Sequence, residues 1–373
     1  MSRRGEGIYK RKDGRWEARY IHHYEDGKAK YRFLYADTYA EVRAKRNAEL
    51  AAIPASIASA NHNKMTFKDL SDEWLLKIKG EVKESTYTRY ERNIRVYLLP
   101  PLENQKLKKL SEDCLKGIPR QLLERGGKGG TPLSAKTVSD ILCVLKSIIK
   151  FAKQNEYISM DESCIVLPKT SKTRADILPE EYRIKIEDRL WDSEETVSLG
   201  ILFTMYTGIR LGELCGLRWG DIDFVTGIVQ ISRTIERIPD LSSNAKYKTK
   251  VVISEPKTES SKRIIPLPKF LLKHFEKFRG TKDSYIVTGS THHTEPHQFY
   301  LRYKTFLRHT GVPEYTFHTL RHTFATRCVE HGFDTKSLSE ILGHSNIGTT
   351  LSLYVHPTLE QKRNQMERLF AEF

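Results

Sequence analysis

The chain has 373 residues, with 62 Lys and Arg against 47 Asp and Glu and a formal charge of +15. That balance points to a polyanionic partner, although by itself it does not separate DNA from RNA, heparin or an acidic membrane. No run approaches the roughly eighteen apolar residues that span a bilayer, and the opening MSRRGEGIYKRKDGR lacks the apolar stretch of a secretory signal. The expectation is a cytoplasmic protein with no membrane partner, long enough for two or three domains. Five cysteines, widely spaced and never arranged as C-x-x-C, fit buried thiols in a reducing compartment better than disulfides or a zinc site.

Residues 8 to 35 alternate aromatic and polar positions around breaks at Asp13-Gly14 and Asp26-Gly27, which are hairpin signals. The pattern predicts a three-stranded antiparallel sheet and then a helix over about 38–52 with Asp37 as its N-cap, a first domain at 1–52. Arg11, Lys12, Arg15, Arg19, Lys28, Lys30 and Arg32 are expected to decorate one face of that sheet, where cations meet phosphates if the face enters a major groove. In the plainer reading the aromatics form the core and the cations are merely solvated. Residues 53–65 lack periodicity and read as a linker.

Over 66–160 the spacing turns helical. Phe67, Leu70, Trp74, Leu75 and Ile78 predict a helix capped by Thr66, and a second runs from about Ser85 to a stop at Pro100-Pro101. A third covers about 113–125 and a fourth about 134–155, with Val138, Ile141, Leu142, Leu145, Ile148, Ile149 and Ala152 facing inward. These four make a compact bundle whose Lys83, Thr86, Arg89, Arg92, Lys136 and Lys146 are candidate phosphate contacts. Residues 161–177 form a polar, basic connector. From 178 to 373 helices are expected near 180–190, 194–206, 298–310, 318–331 and 335–342, with strands near 228–236, 248–255 and 262–267. The fold class is multidomain α+β: sheet plus helix, an all-α bundle, then a mixed, mainly helical domain with a small antiparallel sheet.

Within that last domain, Arg210, Lys257, His318, Arg321, His344 and Tyr354 read together as a phosphoryl-transfer site. Two arginines can grip the non-bridging oxygens of a phosphodiester in bidentate fashion. A lysine can protonate a departing 5′ oxygen, and a tyrosine can attack phosphorus and store the bond energy in a covalent phosphotyrosine. The fixed cations supply the charge that a metal supplies elsewhere, so no cofactor is expected. Arg210 follows a helix break at Thr207-Gly208, and Glu213 is placed to buttress it or a neighbouring cation. Lys257 sits before a turn at a hairpin tip; Lys246, Lys248, Lys250, Lys262 and Arg263 compete for its role. His318 and Arg321, three apart, share one helix face, Arg321 as the second clamp and His318 to hold the phosphate or shuttle a proton; the rival His322 lies about a hundred degrees around the helix from Arg321 and is expected to pack or bond within the protein. His344 follows a C-cap glycine, and Tyr354 lies in a short helical segment from about Ile347 to Pro357, a placement that Tyr303 and Tyr315 lack. Asp221 and Asp223 read as turn caps, and His292, His293 and His297 as a polar loop rather than metal ligands.

The phrases TGIRLGEL, PKTESSKR, HTLRHTFAT, LGHS and LSLYVHP that carry these residues resemble those of the tyrosine recombinases, the group that includes the integrases of phages and conjugative transposons. The resemblance is dense in the C-terminal half, thinner over about 65–155, and reaches the N-terminal fifty residues, which look like an arm-binding domain. It implies a metal- and ATP-independent integrase that cleaves and rejoins DNA through a 3′-phosphotyrosine. Core sites would be held by the bundle and catalytic domain, arm sites by the sheet. It further implies a monomer in solution, a homotetramer on DNA, an excisionase or host DNA-bending partner, and a bacterial, nucleoid-associated setting. The amphipathic segment after Pro357 would pack on its own domain or on a neighbour. The alternatives are a type IB-like topoisomerase and a DNA-binding regulator without catalysis.

Overall fold

The computed structural model describes residues 7–25, 28–51, 65–170, 176–242, 247–254 and 262–355, with residues 363, 366, 367 and 370 beyond them. Contacts divide the chain into two compact units, residues 1–171 and 172–373. The expected linker lies almost wholly outside the described residues, as does the C-terminal tail. No described helix is long and apolar enough to cross a membrane.

In the first unit, β1 (Ile8–Lys10), β2 (Trp16–Glu25) and β3 (Lys28–Ala36) form an antiparallel sheet in chain order. Gly14 takes the left-handed φ of 88° that the first turn requires. Helix α1 (Tyr39–Ala51) is capped by Thr38, whose Oγ1 accepts the Glu41 N–H at 3.2 Å; Asp37, the expected cap, stands one position too early. Ile8, Trp16, Ala18, Leu34 and Ala36 turn toward Tyr39 and Val42 of α1 and build a small core. Strand alternation then places Tyr9, Tyr31, Phe33 and Tyr35 on the opposite, open face, each more than two-fifths exposed. Most of the sheet's aromatics therefore face solvent instead of filling its core. Arg19 lies 4.5 Å from the Tyr31 ring centre, and Arg11 and Arg15 lie 5.2 and 5.7 Å from that of Tyr35. The expected cations do not share one face, because Arg32 pairs in register with buried Tyr20 on the α1 side. Lys12 is exposed; the side chains of Lys28 and Lys30 lie outside the described residues.

The bundle begins at α2 (Phe67–Ile78). Thr66 and Asp69 cap each other's backbone N–H groups in a capping box. Helix α3 (Glu84–Asn93) does not stop at the two prolines. A π-turn over Ile94–Leu98 leads into α4 (Leu99–Leu102), where Pro100 and Pro101 occupy the first turn. Proline is tolerated there because first-turn N–H groups have no intrahelical acceptor. Helices α5 (Glu112–Arg125) and α6 (Ala135–Gln154) complete the bundle, capped by Ser111 and Ser134. All seven residues predicted to face inward on α6 are buried. Lys83 caps α3 by position, with Thr86, Arg89 and Arg92 on that helix. Lys136 and Lys146 stand on α6, and Lys136 is ion-paired to Asp140 at 2.8 Å. Cys143 on α6 is exposed and only Cys215 is fully buried, so the expectation of uniformly buried thiols fails; all five are free.

The second unit contains α7 (Glu180–Trp191), α8 (Thr196–Thr207), α9 (Leu211–Gly216), α10 (Lys269–Glu276), α11 (Pro296–His309), α12 (Phe317–Glu330), α13 (Thr335–Leu342) and α14 (Ile347–Tyr354). Strands β4 (Ile222–Asp223), β5 (Ile228–Ile231) and β8 (Arg263–Pro266) make one antiparallel sheet; β6 (Thr234–Pro239) and β7 (Thr249–Ser254) make another. The single strand expected over 228–236 is thus split between two sheets. Arg233, between them, bonds Asp221 and the Gly216 carbonyl. Likewise β7 and β8 belong to different sheets and are not the two arms of a hairpin. Asp221 and Asp223 accept local backbone N–H groups, as turn aspartates do. The core gathers on α8, whose residues are buried all round.

Leu145 is fully buried in the bundle, whereas Leu76 on α2 is 72% exposed. Leu145→Ala is expected to lower the protection of α6 amides in hydrogen exchange by about 2–5 kcal/mol, and Leu76→Ala to change it by less than about 0.5 kcal/mol.

Candidate active site

The site is built on two helix ends. Helix α8 stops at Gly208, which takes φ 64° and ψ 22°. A Cβ there would stand 2.6 Å from Phe324 Cδ1 and 2.8 Å from Leu342 Cδ2, so both conformation and space call for glycine. The chain reverses, and Arg210 becomes the N-cap residue of α9. Its backbone N–H and Nη1 donate to the two Glu213 carboxylate oxygens at 3.1 and 2.9 Å, and its Nη2 donates to the Gly343 carbonyl at 3.1 Å.

The second end is the C-terminus of α13, closed by Gly343 at φ 64°. The last carbonyls of a helix lack intrahelical donors and carry the negative end of its dipole. Here three consecutive carbonyls each accept from a different arginine: Ile341 from Arg263 Nε, Leu342 from Arg321 Nη2 at 2.7 Å, and Gly343 from Arg210 Nη2. Arg321 is 1% exposed, and its Nη1 donates to the Gly208 carbonyl at 2.6 Å. Arg263 grips Glu213 through Nη1 and Nη2 at 3.1 and 2.9 Å. Burial alone would push the Glu213 carboxyl up, but the Arg263 hydrogen bonds and the charges of Arg263 and Arg210 outweigh it and hold the pKa at about 2. Burial lowers the pKa of Arg321, aided by Arg210, yet a guanidinium stays charged at neutral pH.

Around this cage stand the ring side chains. His344 Nε2 lies 3.0 Å from Arg321 Nη2, and its Nδ1 lies 2.8 Å from Thr350 Oγ1. Burial and the neighbouring guanidinium groups bring His344 to about 4, so it is neutral; because arginine only donates, His344 accepts at Nε2 and donates from Nδ1. The Tyr354 ring lies parallel to that of His344, 6.4 Å away. Its hydroxyl, buried at the end of α14, is 2.6 Å from His322 Nδ1. Burial raises the Tyr354 pKa while Arg321 and Arg210 pull it back. His318 packs edge-on against His322 at 4.4 Å. The residue keeps an exposed surface, and partial desolvation of its ring, followed by the nearby His322, Arg321 and Arg210, lowers its pKa.

Five of the six expected residues, Arg210, His318, Arg321, His344 and Tyr354, therefore lie in one cluster, with Glu213 as a strut to two cations. Lys257 lies outside the described residues, as does its competitor Lys246. Two residues entered the site against expectation. Arg263, weighed as a competitor for the role of Lys257 or as a neutraliser of backbone charge, is a buried structural cation. His322 does bond within the protein as expected, but its partner is Tyr354. One turn on from His318 and on the same face of α12, it touches the His318 ring and also meets Tyr354 of α14, a relation the sequence spacing carries only once the packing of α12 against α14 is known.

Residues 178–361 match the sequence model of the phage integrase family, and residues 66–116 match that of the phage integrase N-terminal SAM-like domain. A XerC-like tyrosine recombinase of Caldanaerobacter subterraneus is 29% identical over 92% of this chain and 93% of its own length. The ICEBs1 integrase of Bacillus subtilis is 22% identical, covering 82% of this chain and 83% of its own. Among solved structures, the Tn1549 transposon integrase in complex with transposon right-end DNA superposes with a TM-score of 0.64 at 25% identity, over 82% of this chain and 99% of that one. A lambda integrase dimer on a core site shares the fold, with a TM-score of 0.56 at 16% identity over 94% of this chain and 95% of that chain.

Glu213 contributes stability that is fully present above its unfolded pKa of 4.5 and is lost as pH falls through its folded value of about 2. Glu213→Gln, which leaves Arg263 buried without its counter-charge, is expected to destabilise the second unit by about 3–5 kcal/mol at pH 7. The deficit against the native chain should shrink between pH 4.5 and 2, as measured by urea unfolding at each pH.

Proposed function

Because this chain belongs to the phage integrase family, the tyrosine recombinases, we propose that it is the site-specific DNA recombinase of a mobile element and that the cluster around Tyr354 is its catalytic centre. The reading rests on one observation: Tyr354 stands beside His344, which bonds Arg321, while Arg321 and Arg210 both anchor on the end of α13. Arg210 and Arg321 would hold the non-bridging oxygens of the scissile phosphate. Their charges are fixed before substrate arrives, so little reorganisation is needed as negative charge builds on phosphorus. Tyr354 Oη attacks, the new P–O bond forms, and the bond to the 5′ oxygen breaks. Lys257 supplies the proton to that oxygen, and His318 and His344 steady the phosphoryl group. A 5′ hydroxyl of a partner duplex then reverses the steps, which conserves the bond energy without ATP.

The chain is read as three domains, 1–52, 66–160 and 178–373, with linkers at 53–65 and 161–177. The bundle and the catalytic domain hold core sites, through Lys83, Thr86, Arg89, Arg92, Lys136 and Lys146. The open face of the N-terminal sheet holds arm sites, where Arg11, Arg15 and Arg19 sit among exposed aromatic rings; Lys12, Lys28, Lys30 and Arg32 would add phosphate contacts around it. The DNA complex of the Tn1549 integrase supports duplex DNA as the partner. Assembly from monomers into a homotetramer on DNA, with an excisionase or a DNA-bending protein, follows from the same family reading.

On a nicked suicide half-site the native protein should form an SDS-resistant protein–DNA adduct, and Tyr354→Phe should form none; an adduct persisting in that variant would remove the nucleophile assignment. Arg210→Lys and Arg321→Lys should bind DNA with near-native salt dependence yet cleave about 10²–10³-fold more slowly, since lysine cannot form the fork. A lysine variant cleaving at full rate rules out bidentate gripping.

A further inference from the structure

The recombinase reading leaves open where the Tyr354 proton goes when the phenol attacks. We propose that His322 is the general base of strand cleavage, taking the Tyr354 hydroxyl proton at Nδ1 and returning it when the phosphotyrosine is resolved. This rests on the reading above and adds a catalytic residue to it.

The argument is one of contact and elimination. His322 Nδ1 is 2.6 Å from Tyr354 Oη, within direct transfer distance. The other basic groups around the phenol are committed or unable to accept. His344 already accepts from Arg321 at Nε2 and donates to Thr350 from Nδ1. Arg321 and Arg210 only donate. His318 touches His322, its ring edge-on at 4.4 Å, and no described hydrogen bond joins it to Tyr354. Neutral and with its ring proton on Nε2, His322 accepts at Nδ1. Burial and the Arg321 charge favour its neutral state, while Asp176 favours the cation it becomes. His318, Arg321, Tyr354 and Asp176 are the titratable or charged groups that face it.

The step balances. The Tyr354 Oη–P bond forms as the P–O5′ bond breaks; the phenolic proton moves to His322, and Lys257 protonates O5′. On rejoining, Oη leaves phosphorus and recovers its proton from His322, while the attacking 5′ hydroxyl gives its own to Lys257.

The test is His322→Asn, which keeps an acceptor near the Nδ1 position but cannot take a proton. The full-length protein is assayed on a suicide half-site built from its own attachment sequence, alongside Tyr354→Phe and Lys257→Ala. His322→Asn should bind DNA as the native protein does and form the covalent adduct about 10²–10⁴-fold more slowly. A half-site whose bridging 5′ oxygen is replaced by sulfur needs no acid for departure. On it Lys257→Ala should recover, and His322→Asn should remain slow. Adduct formation within about threefold of native by a DNA-binding His322→Asn overturns the base assignment, and so does its recovery on the sulfur substrate. If that variant fails to bind DNA, the pH profile of the native protein on the sulfur substrate decides. A rate that climbs only to a plateau below about pH 6.5 supports a histidine base; one that keeps rising toward the phenol range overturns it. Adduct formation by Tyr354→Phe, or none by the native protein, would instead sink the recombinase reading itself, which keeps the two failures distinct.

Discussion

Three consecutive carbonyls at the end of α13, each bound by a different arginine, are the constraint on which the site depends. A helix C-terminus offers acceptors that its own backbone cannot satisfy, together with the negative end of a dipole. It gathers Arg210 from the α8–α9 turn, Arg263 from β8 and Arg321 from α12, positions far apart along the chain. The left-handed Gly343 lets β8 come close: a Cβ on it would meet the Arg263 side chain at 3.1 Å. Without that turn the guanidinium groups would have no common anchor.

Packing three cations together is costly when two of them are buried. Glu213 is one carboxylate among them, bonded to Arg210 and Arg263, so the cluster keeps an excess of positive charge facing the rings of His344 and Tyr354. Carbonyl dipoles offset part of the desolvation of Arg321, which has no carboxylate partner among the described residues. An entering phosphate would neutralise the remainder, and that is the sense in which the cluster is preorganised. Burial first, and then the neighbouring charges, keep His318 and His344 from protonating, so no further charge accumulates. Tyr354 feels two opposed influences, burial that favours the phenol and guanidinium groups that favour the phenolate.

The N-terminal sheet illustrates a different kind of balance. Both its faces carry aromatic residues, but α1 packs on only one of them. Trp16 packs edge-on against Tyr39 at 5.1 Å on the covered side, while Tyr9, Tyr31, Phe33 and Tyr35 are exposed, with arginines over the rings of Tyr31 and Tyr35. Exposed aromatic area of this extent on a small sheet marks a contact surface more than a packing error, and the stacked cations give it the sign of charge that a phosphate backbone matches.

Local pattern determined much of this protein. Apolar spacing alone delimits α6 and its inward face, Thr66 announces α2, and the order of Arg210, His318, Arg321, His344 and Tyr354 within their local phrases carries the chemistry proposed for them, because each of these depends on neighbours a few residues away. Arg263, His322 and the division of β5 from β6 were decided only by the tertiary structure. A buried arginine and a surface arginine look alike in sequence, since what separates them is a carboxylate fifty positions distant and a helix end farther still. His322 likewise owes its contact with Tyr354 to the arrival of α14 beside α12, a long-range relation whose geometry no periodicity encodes.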